Sequence, residues 1–450
     1  MNRLKKTNAG HVGSEKHLPT SLSGIERKAK QDRHHKFENL YRLLNRYTIG
    51  DCWPLINKKA SCGIDKISAK NFEKCLSDEL RKLEEDLIAN KYRSTGIRET
   101  FISKANGHKR PLGIPIIKDK LLQTACSKIL ESIYEPKFHS FRFGYRRNMG
   151  AKDAVKELSK SLNFGKYSYI VEADIKGYFE NIDHDMLIKM LEHDIADKRF
   201  TQLVRKWLKA KIHKENGQVE TPQKGTPQGG VISPVLANIY LHYVLDLWFE
   251  KVVKKHVKSD SLLIAYADDF VCAFRYKEDA EKFMEALERR FKKFGLELAK
   301  EKTKLIRFSR FDKANSDSFD FLGFTFMWGK SRIGKDIIKL RTSKKKFNQS
   351  AKAIKVWIKE NRNCRMQKLI DLLNDKLRGY YNYYGVIGNS KMLFKMEKVV
   401  KGLLFKWLNR RSQRRSFSKP TFKRLIGEKY QLTPIVLEKP MLCEQISLVL

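Results

Sequence analysis

Acidic residues are scarce in this chain. Only 51 Asp and Glu stand against 92 Lys and Arg in 450 residues, leaving a net charge of +41 and an isoelectric point near 9.9. A fold has no need of such an excess, so a polyanionic partner is expected. The cations run along the whole chain, which suggests a long channel with many phosphate contacts and salt-sensitive binding. Paired cysteines are also missing. The seven, at 52, 62, 75, 126, 272, 364 and 443, form no CxxC pair and are odd in number. That argues against a disulfide framework or a zinc knuckle and points to a reducing, intracellular setting. No apolar run is fit to cross a membrane. The most apolar long window, Val231 to Phe249, is interrupted by Ser233, Pro234, Asn238, His242 and Asp246, so it reads as a buried helix. The opening MNRLKKTNAG is basic but has neither a secretory apolar region nor an amphipathic stripe, so neither a signal peptide nor an organellar transit peptide is the expectation.

The most informative stretch is SLLIAYADDFVCAF, Ser261 to Phe274. Two strand-forming runs close around Asp268 and Asp269, which predicts a β-hairpin with the acids at its tip. On its own, Asp-Asp is most often a solvated turn. Adjacent carboxylates between buried strands, however, need a positive partner, and a hard divalent cation such as Mg²⁺ suits them. A second acidic strand, KYSYIVEADIKGYF, ends on Asp174, 94 positions before Asp268. Laid side by side, the two strands would gather three carboxylates, enough for two metals and nucleotidyl transfer.

Around this pair the chain runs from helix to strand and back. Residues 1 to about 30 are polar and predict a loose arm, and Phe37, Leu40, Tyr41, Leu44 and Tyr47 predict an amphipathic helix. His34 and His35 read as solvated. In CGIDKISAKNF, Asp65 or Ser68 is a candidate helix cap, as is Asp183 in NIDHDML. Lys109 and Arg110 lie at a turn, where the commoner reading is a solvated pair; a triphosphate is the alternative. GTPQGGVISPVL supplies Gly225, Gly229 and Gly230 for close backbone approach, then Ser233 and Pro234 to start a helix. Glu278 to Phe294 is an amphipathic helix, and LAKEKTKLIRF and FDFLGFTF read as strands. Beyond about Leu340 come basic helices at 344–359, 365–384 and 391–411, with Ala353, Val356 and Trp357 on one apolar face. In KLRGYYNYYG, Lys376 to Gly385, aromatics alternate with cations, which suits a packed helix junction and RNA stacking equally.

YADD at Tyr266 to Asp269, ADIKGYF ending at Phe179, GTPQGGVISPVLANI from Gly225, EKTKL from Glu301 and FDFLGF from Phe319 occur in one order. In that order the chain resembles the reverse transcriptases encoded by bacterial and organellar group II introns, across about residues 36 to 415. The resemblance implies an α+β right-hand polymerase, with helical fingers and a ferredoxin-like antiparallel palm, followed by an all-α three-helix thumb or maturase domain. It divides the chain into a basic arm (1–35), N-terminal extension and fingers (36–165), palm (166–335), thumb (340–415) and basic tail (416–450).

The same resemblance implies site residues. Asp174, Asp268 and Asp269, with the Ile175 carbonyl, would hold two Mg²⁺ ions. Lys109 and Arg110, in KRPLGIP, would grip the incoming phosphates. Phe179 stands at the sugar-gate position, where a 2′-hydroxyl is excluded, and Gln228 at the contact to the templating pair. Tyr266 and the Phe321-Leu322-Gly323 turn would steady the primer end. Arg378, Arg410, Arg411, Arg414 and Arg415 would touch nucleic-acid phosphates. Implied partners are an RNA template (its own intron RNA), a DNA primer or target, and deoxynucleotides, with no membrane, in a bacterial, nucleoid-associated cytoplasmic setting. One motif departs: after Phe143-Gly144-Tyr145-Arg146 the family's Pro-Gly is Arg147-Asn148, which alters a turn. No Cys/His set at the spacing of an HNH endonuclease follows, so strand nicking is not expected. Two rivals remain: an intron-free relative in phage defence or DNA repair, and a splicing factor that binds RNA without polymerising.

Overall fold

The computed structural model describes residues 20–103, 109–227, 229–312, 314–331, 333–411 and 416–437. Among these the strands are β1 (Ile97–Ser103), β2 (Lys109–Pro115), β3 (Tyr169–Ala173), β4 (Ile212–His213), β5 (Val219–Glu220), β6 (Ser261–Tyr266), β7 (Asp269–Phe274), β8 (Lys304–Arg307), β9 (Phe319–Phe321), β10 (Phe324–Lys330) and β11 (Asp336–Thr342). They form three sheets, ordered β2-β1-β4-β5, β6-β7-β3-β8 and β11-β10-β9. The chain divides into two compact units, one from the described parts of 1–101, 111–138 and 183–240, the other from 102–110, 139–182 and 241–450.

The first unit is mainly helical. Its centre is the helix Ile117–Tyr134, buried along most of its length, with Leu121, Leu122, Ala125 and Ile129 fully buried and the charged Lys118, Lys120, Lys128 and Glu131 at its less buried positions. So broad a buried face needs cover from more than one element. Part of that cover comes from Thr20–Gln31, which is a helix where a loose arm was expected; Leu22 and Ala29 supply enough buried surface to order it. The first 19 residues of that arm lie outside the described residues. The expected helix from Phe37 is also corrected. Phe37 instead makes an isolated parallel bridge with Ile195, and the apolar positions fall on a 3₁₀ turn, Leu40–Leu43, and a short helix, Arg46–Gly50. Asn45 caps that helix through Tyr47 and Thr48 and so breaks the longer repeat. Ser68 caps Ala69–Glu73, and Asp183 caps His184–Asp194 by accepting from the Met186 N–H at 2.8 Å. Asp183 therefore serves a helix end.

In the second unit, β3 lies antiparallel to both β7 and β8, and β7 antiparallel to β6. The helix Lys277–Lys293 links β7 to β8, so strand, helices, hairpin, helix, strand is the observed order. The window read as a buried helix is one: the backbone is helical without a break from Ser233 to His256, with π-helical turns at His242–Asp246 and Phe249–Val253. DIIKLRT, which adjoins the basic helices in sequence, forms β11, paired antiparallel to β10 on the side opposite β9 and so completing that sheet.

Three helices follow: Lys344–Asn361, Met366–Tyr384 and Ser390–Leu408. Phe347, Ile354 and Ile358 form the buried stripe of the first; Ala353 and Val356 are exposed, which corrects the face assigned from sequence by about a quarter turn. Heptad spacing from Phe347 to Ile354 sets the true stripe. One apolar core runs without a break from Phe308, Phe319 and Phe324 to Leu373, Leu377 and Leu404.

Candidate active site

The site begins with register. β6 and β7 pair through Tyr266↔Asp269, so Ala267 and Asp268 make the tightest possible reversal. Ala267 takes a left-handed backbone, φ 55°, a conformation a β-carbon disfavours. On the other side, β3 pairs with β7 up to Ala173↔Phe270. One step further, Asp174 comes beside Asp269, and their carboxyl groups are in hydrogen-bonding contact. The adjacent Asp268 and Asp269 thus meet Asp174, 94 positions before Asp268 in the chain, at one end of the sheet.

Burial and mutual repulsion together raise the pKa of the two hairpin acids. Burial first, then Asp268 and Asp174, push the Asp269 carboxyl up to about 7, with Lys302 pulling the other way. Burial also raises Asp268, opposed by its own backbone N–H and by Arg110. The Lys302 ammonium is salt-bridged to Asp174, and that hydrogen bond raises the lysine's own pKa. Among the described residues no group of three His, Cys, Asp or Glu forms a preformed metal cage. The donor set is nevertheless one of hard oxygens. The antiparallel bridge Ile175↔Leu298 is closed by Lys176 N–H to Glu297 O and Ala299 N–H to Asp174 O, so those bonds do not use the Ile175 carbonyl. A hard divalent cation such as Mg²⁺ takes oxygen donors of this type, from one or two carboxylates and from phosphates.

Phe179 is buried just beyond β3, where Tyr145 meets its ring edge-on at 6.2 Å between centroids. Tyr145 also has a left-handed backbone, φ 58°, and burial and the neighbouring Asp268 raise its phenol pKa. Lys109 and Arg110 open β2 with exposed side chains. Gln228 lies outside the described residues. Phe321, Leu322 and Gly323 form the β9–β10 turn; the Tyr383 hydroxyl donates to the Leu322 carbonyl at 3.0 Å. Burial, then Tyr384, Tyr266 and Asp269, push the Tyr383 phenol up to about 12, so this tyrosine lies near the hairpin tip as well. Tyr380, Tyr381 and Tyr384 are buried, and Tyr384 packs on Phe324 at 5.2 Å. For those three the packed-junction reading holds. Arg378 is exposed and ion-paired with Asp375, and Arg410 stacks on Trp407 at 5.5 Å. Arg411, just past the third bundle helix, donates to the Cys364 carbonyl at 3.3 Å in the loop between the first two. Arg414 and Arg415 lie outside the described residues.

Sequence reasoning passed over Lys302, Tyr145 and Tyr383. Each falls in a motif that was noticed, but a partner 128 residues away, as Asp174 is from Lys302, leaves no local trace.

Comparison with known proteins gives the class. Residues 102–326 match the family model described as reverse transcriptase (RNA-dependent DNA polymerase), and residues 346–425 match the group II intron, maturase-specific domain. The Group II intron-encoded protein LtrA of Lactococcus lactis subsp. cremoris is 31% identical over 458 residues, covering 83% of this chain and 74% of that protein. Protein YkfC of Escherichia coli (strain K12) is 31% identical over 201 residues, 44% of this chain and 52% of that protein. An uncharacterized 91 kDa protein in a cob intron of Schizosaccharomyces pombe is 33% identical over 243 residues, 53% of this chain and 30% of that protein. The chain belongs to the group II intron reverse transcriptase/maturase family, with a reverse transcriptase domain followed by a helical maturase region. No helix among the described residues is long and apolar enough to cross a membrane.

Proposed function

We propose that this protein copies RNA into DNA, adding deoxynucleotides to a primer 3′-hydroxyl, and that it also binds its own group II intron RNA to assist splicing and mobility. The observation that carries the reading is the meeting of Asp174 with Asp268 and Asp269, which supports a site built for divalent cations. The β6-β7-β3-β8 order, with its two helical crossovers, suits a ferredoxin-like palm, and the three basic helices suit a thumb. Asp174, Asp268, Asp269 and the Ile175 carbonyl would hold two Mg²⁺ ions, which supply charge stabilisation at the attacking and leaving oxygens.

The chain's own residues position the reactants. Lys109 and Arg110 bind the triphosphate. Phe179, backed by Tyr145, fills the space beneath the sugar, so a 2′-hydroxyl meets a ring and deoxynucleotides are selected. Gln228 contacts the templating pair. Tyr266 and the Phe321-Leu322-Gly323 turn hold the primer end. Arg378, Arg410, Arg414 and Arg415 bind phosphates of template, primer or intron RNA, with Arg411 tying the turn that carries Arg410 to the loop between the first two bundle helices.

The test is extension of a DNA primer on an RNA template with Mg²⁺. Wild type extends it and Asp268→Asn does not. Equal extension by both would remove the acids from catalysis, and no extension by wild type would leave an RNA-binding splicing factor. For the maturase role, the protein should accelerate splicing of a precursor carrying the intron that flanks its own reading frame; an unaccelerated precursor would remove the maturase role and leave the polymerase reading alone.

A further inference from the structure

Arg142 and Asp246 form an ion pair with both side chains fully buried. The fork is bidentate: Nε donates to Oδ2 at 2.5 Å and Nη2 to Oδ1 at 2.6 Å. Burial alone would push Asp246 up, but the Arg142 charge and its hydrogen bonds outweigh this and hold the carboxyl below its ordinary range. The imidazole of His242 lies 3.8 Å from the same carboxylate. Dry ion pairs seldom repay their desolvation in stability, and an apolar pair of similar volume commonly does as well. What an apolar pair could not provide is the third contact: Nη1 of Arg142 donates to the backbone carbonyl of Ala267 at 3.2 Å.

That carbonyl belongs to the peptide joining Ala267 to Asp268. The N–H at the other end of the same rigid plane is that of Asp268 itself, near enough to its carboxylate to oppose the rise in that acid's pKa. Rotating the plane would therefore move the acid, and Ala267, at φ 55°, sits where a β-carbon opposes the turn. The surrounding backbone closes in as well. Phe143 N–H donates to Ala265 O at 2.8 Å and Ala265 N–H to Phe141 O at 2.9 Å, so the segment carrying Arg142 runs along the edge of β6.

We propose that Arg142, charged and aimed by Asp246, is a positioning residue that fixes the Ala267–Asp268 peptide and so presets the hairpin acids for metal and substrate. The inference rests on the polymerase reading for its consequence, but not for its geometry.

The test uses the full chain in three forms: wild type, Arg142→Lys, and the double variant Arg142→Met with Asp246→Leu, which restores an apolar core. Hydrogen–deuterium exchange of the nucleic-acid-free protein reads the turn directly. Both variants should exchange at the peptide spanning residues 265–270 about tenfold faster than wild type, while the Met366–Tyr384 helix is unchanged. In primer extension the half-saturating Mg²⁺ concentration should rise about tenfold, with template–primer affinity retained. A double variant that melts like wild type yet shows wild-type exchange and Mg²⁺ response overturns the proposal. If the double variant does not fold, Arg142→Lys decides on the same two readouts. Wild type inactive in extension would sink the polymerase reading alone, leaving exchange to judge the positioning role.

Discussion

The Lys302 ammonium rests on the Asp174 carboxylate, 128 residues away in the chain. It supplies a positive charge to three acids that would otherwise repel one another. Lys302→Ala should therefore lower the melting temperature of the metal-free protein and enlarge the increase produced by Mg²⁺. Thermal melts with and without the ion check both; identical Mg²⁺ shifts in the two proteins would show that the lysine does not compete for the acids.

Asp269 gives a pH signature. Its folded pKa, raised to about 7, lies above the unfolded value near 3.9, so the folded state binds the extra proton. The metal-free protein should gain stability from this group as pH falls from about 7 toward 4, and lose it as pH rises back through 7. Asp269→Asn removes that slope. Melts from pH 5 to 8 provide the measurement, and a variant curve parallel to wild type would count against the shift.

Gly144 lies against the same turn. A β-carbon there would stand 2.3 Å from the Ala267 nitrogen and 3.0 Å from its α-carbon, both backbone atoms that cannot swing aside. Gly144→Ala should cost about 1–3 kcal/mol and displace the acids, reducing extension beyond what the lost folded fraction explains. Activity per folded molecule, from melts and kinetics together, separates the two effects.

Phe179→Ala should admit ribonucleotides, because the ring proposed to lie beneath the sugar is removed while Tyr145, its edge-on neighbour, remains. The ratio of ribo- to deoxynucleotide incorporation is independent of how much protein folds. An unchanged ratio removes the gate.

Asn148 stands where the family's motif has glycine, and its backbone is left-handed at φ 57°. Asparagine tolerates that conformation better than most residues. Asn148→Gly should leave melting nearly unchanged, whereas Asn148→Val should cost about 1–2 kcal/mol. Equal melting of the two would mean the turn relaxes.

The acidic hairpin is legible in the residues themselves, since strand formers bracket Asp268 and Asp269 closely enough to set the turn. The meeting with Asp174 is different. It depends on strand order, which alternation along one strand does not encode and which the family resemblance supplied. Helix caps such as Asp183 are equally local and equally readable. The N-terminal helix was not, because Thr20–Gln31 is too polar to announce itself and is ordered by what Leu22 and Ala29 bury. The bundle face went astray for a related reason: Ala353 and Val356 are apolar and exposed, and composition alone cannot say which stripe meets a neighbour.

The hydroxyl that Tyr383 donates to Leu322 ties the middle bundle helix to the β9–β10 turn, across a core that continues into the sheets. Scissors placed before Lys344 would thus bare an oily wall and unhitch the bend proposed to hold the primer end. The reverse transcriptase domain and the maturase region cannot be parted by simple truncation; separating their proposed roles calls for point changes on the cationic outside of the helices.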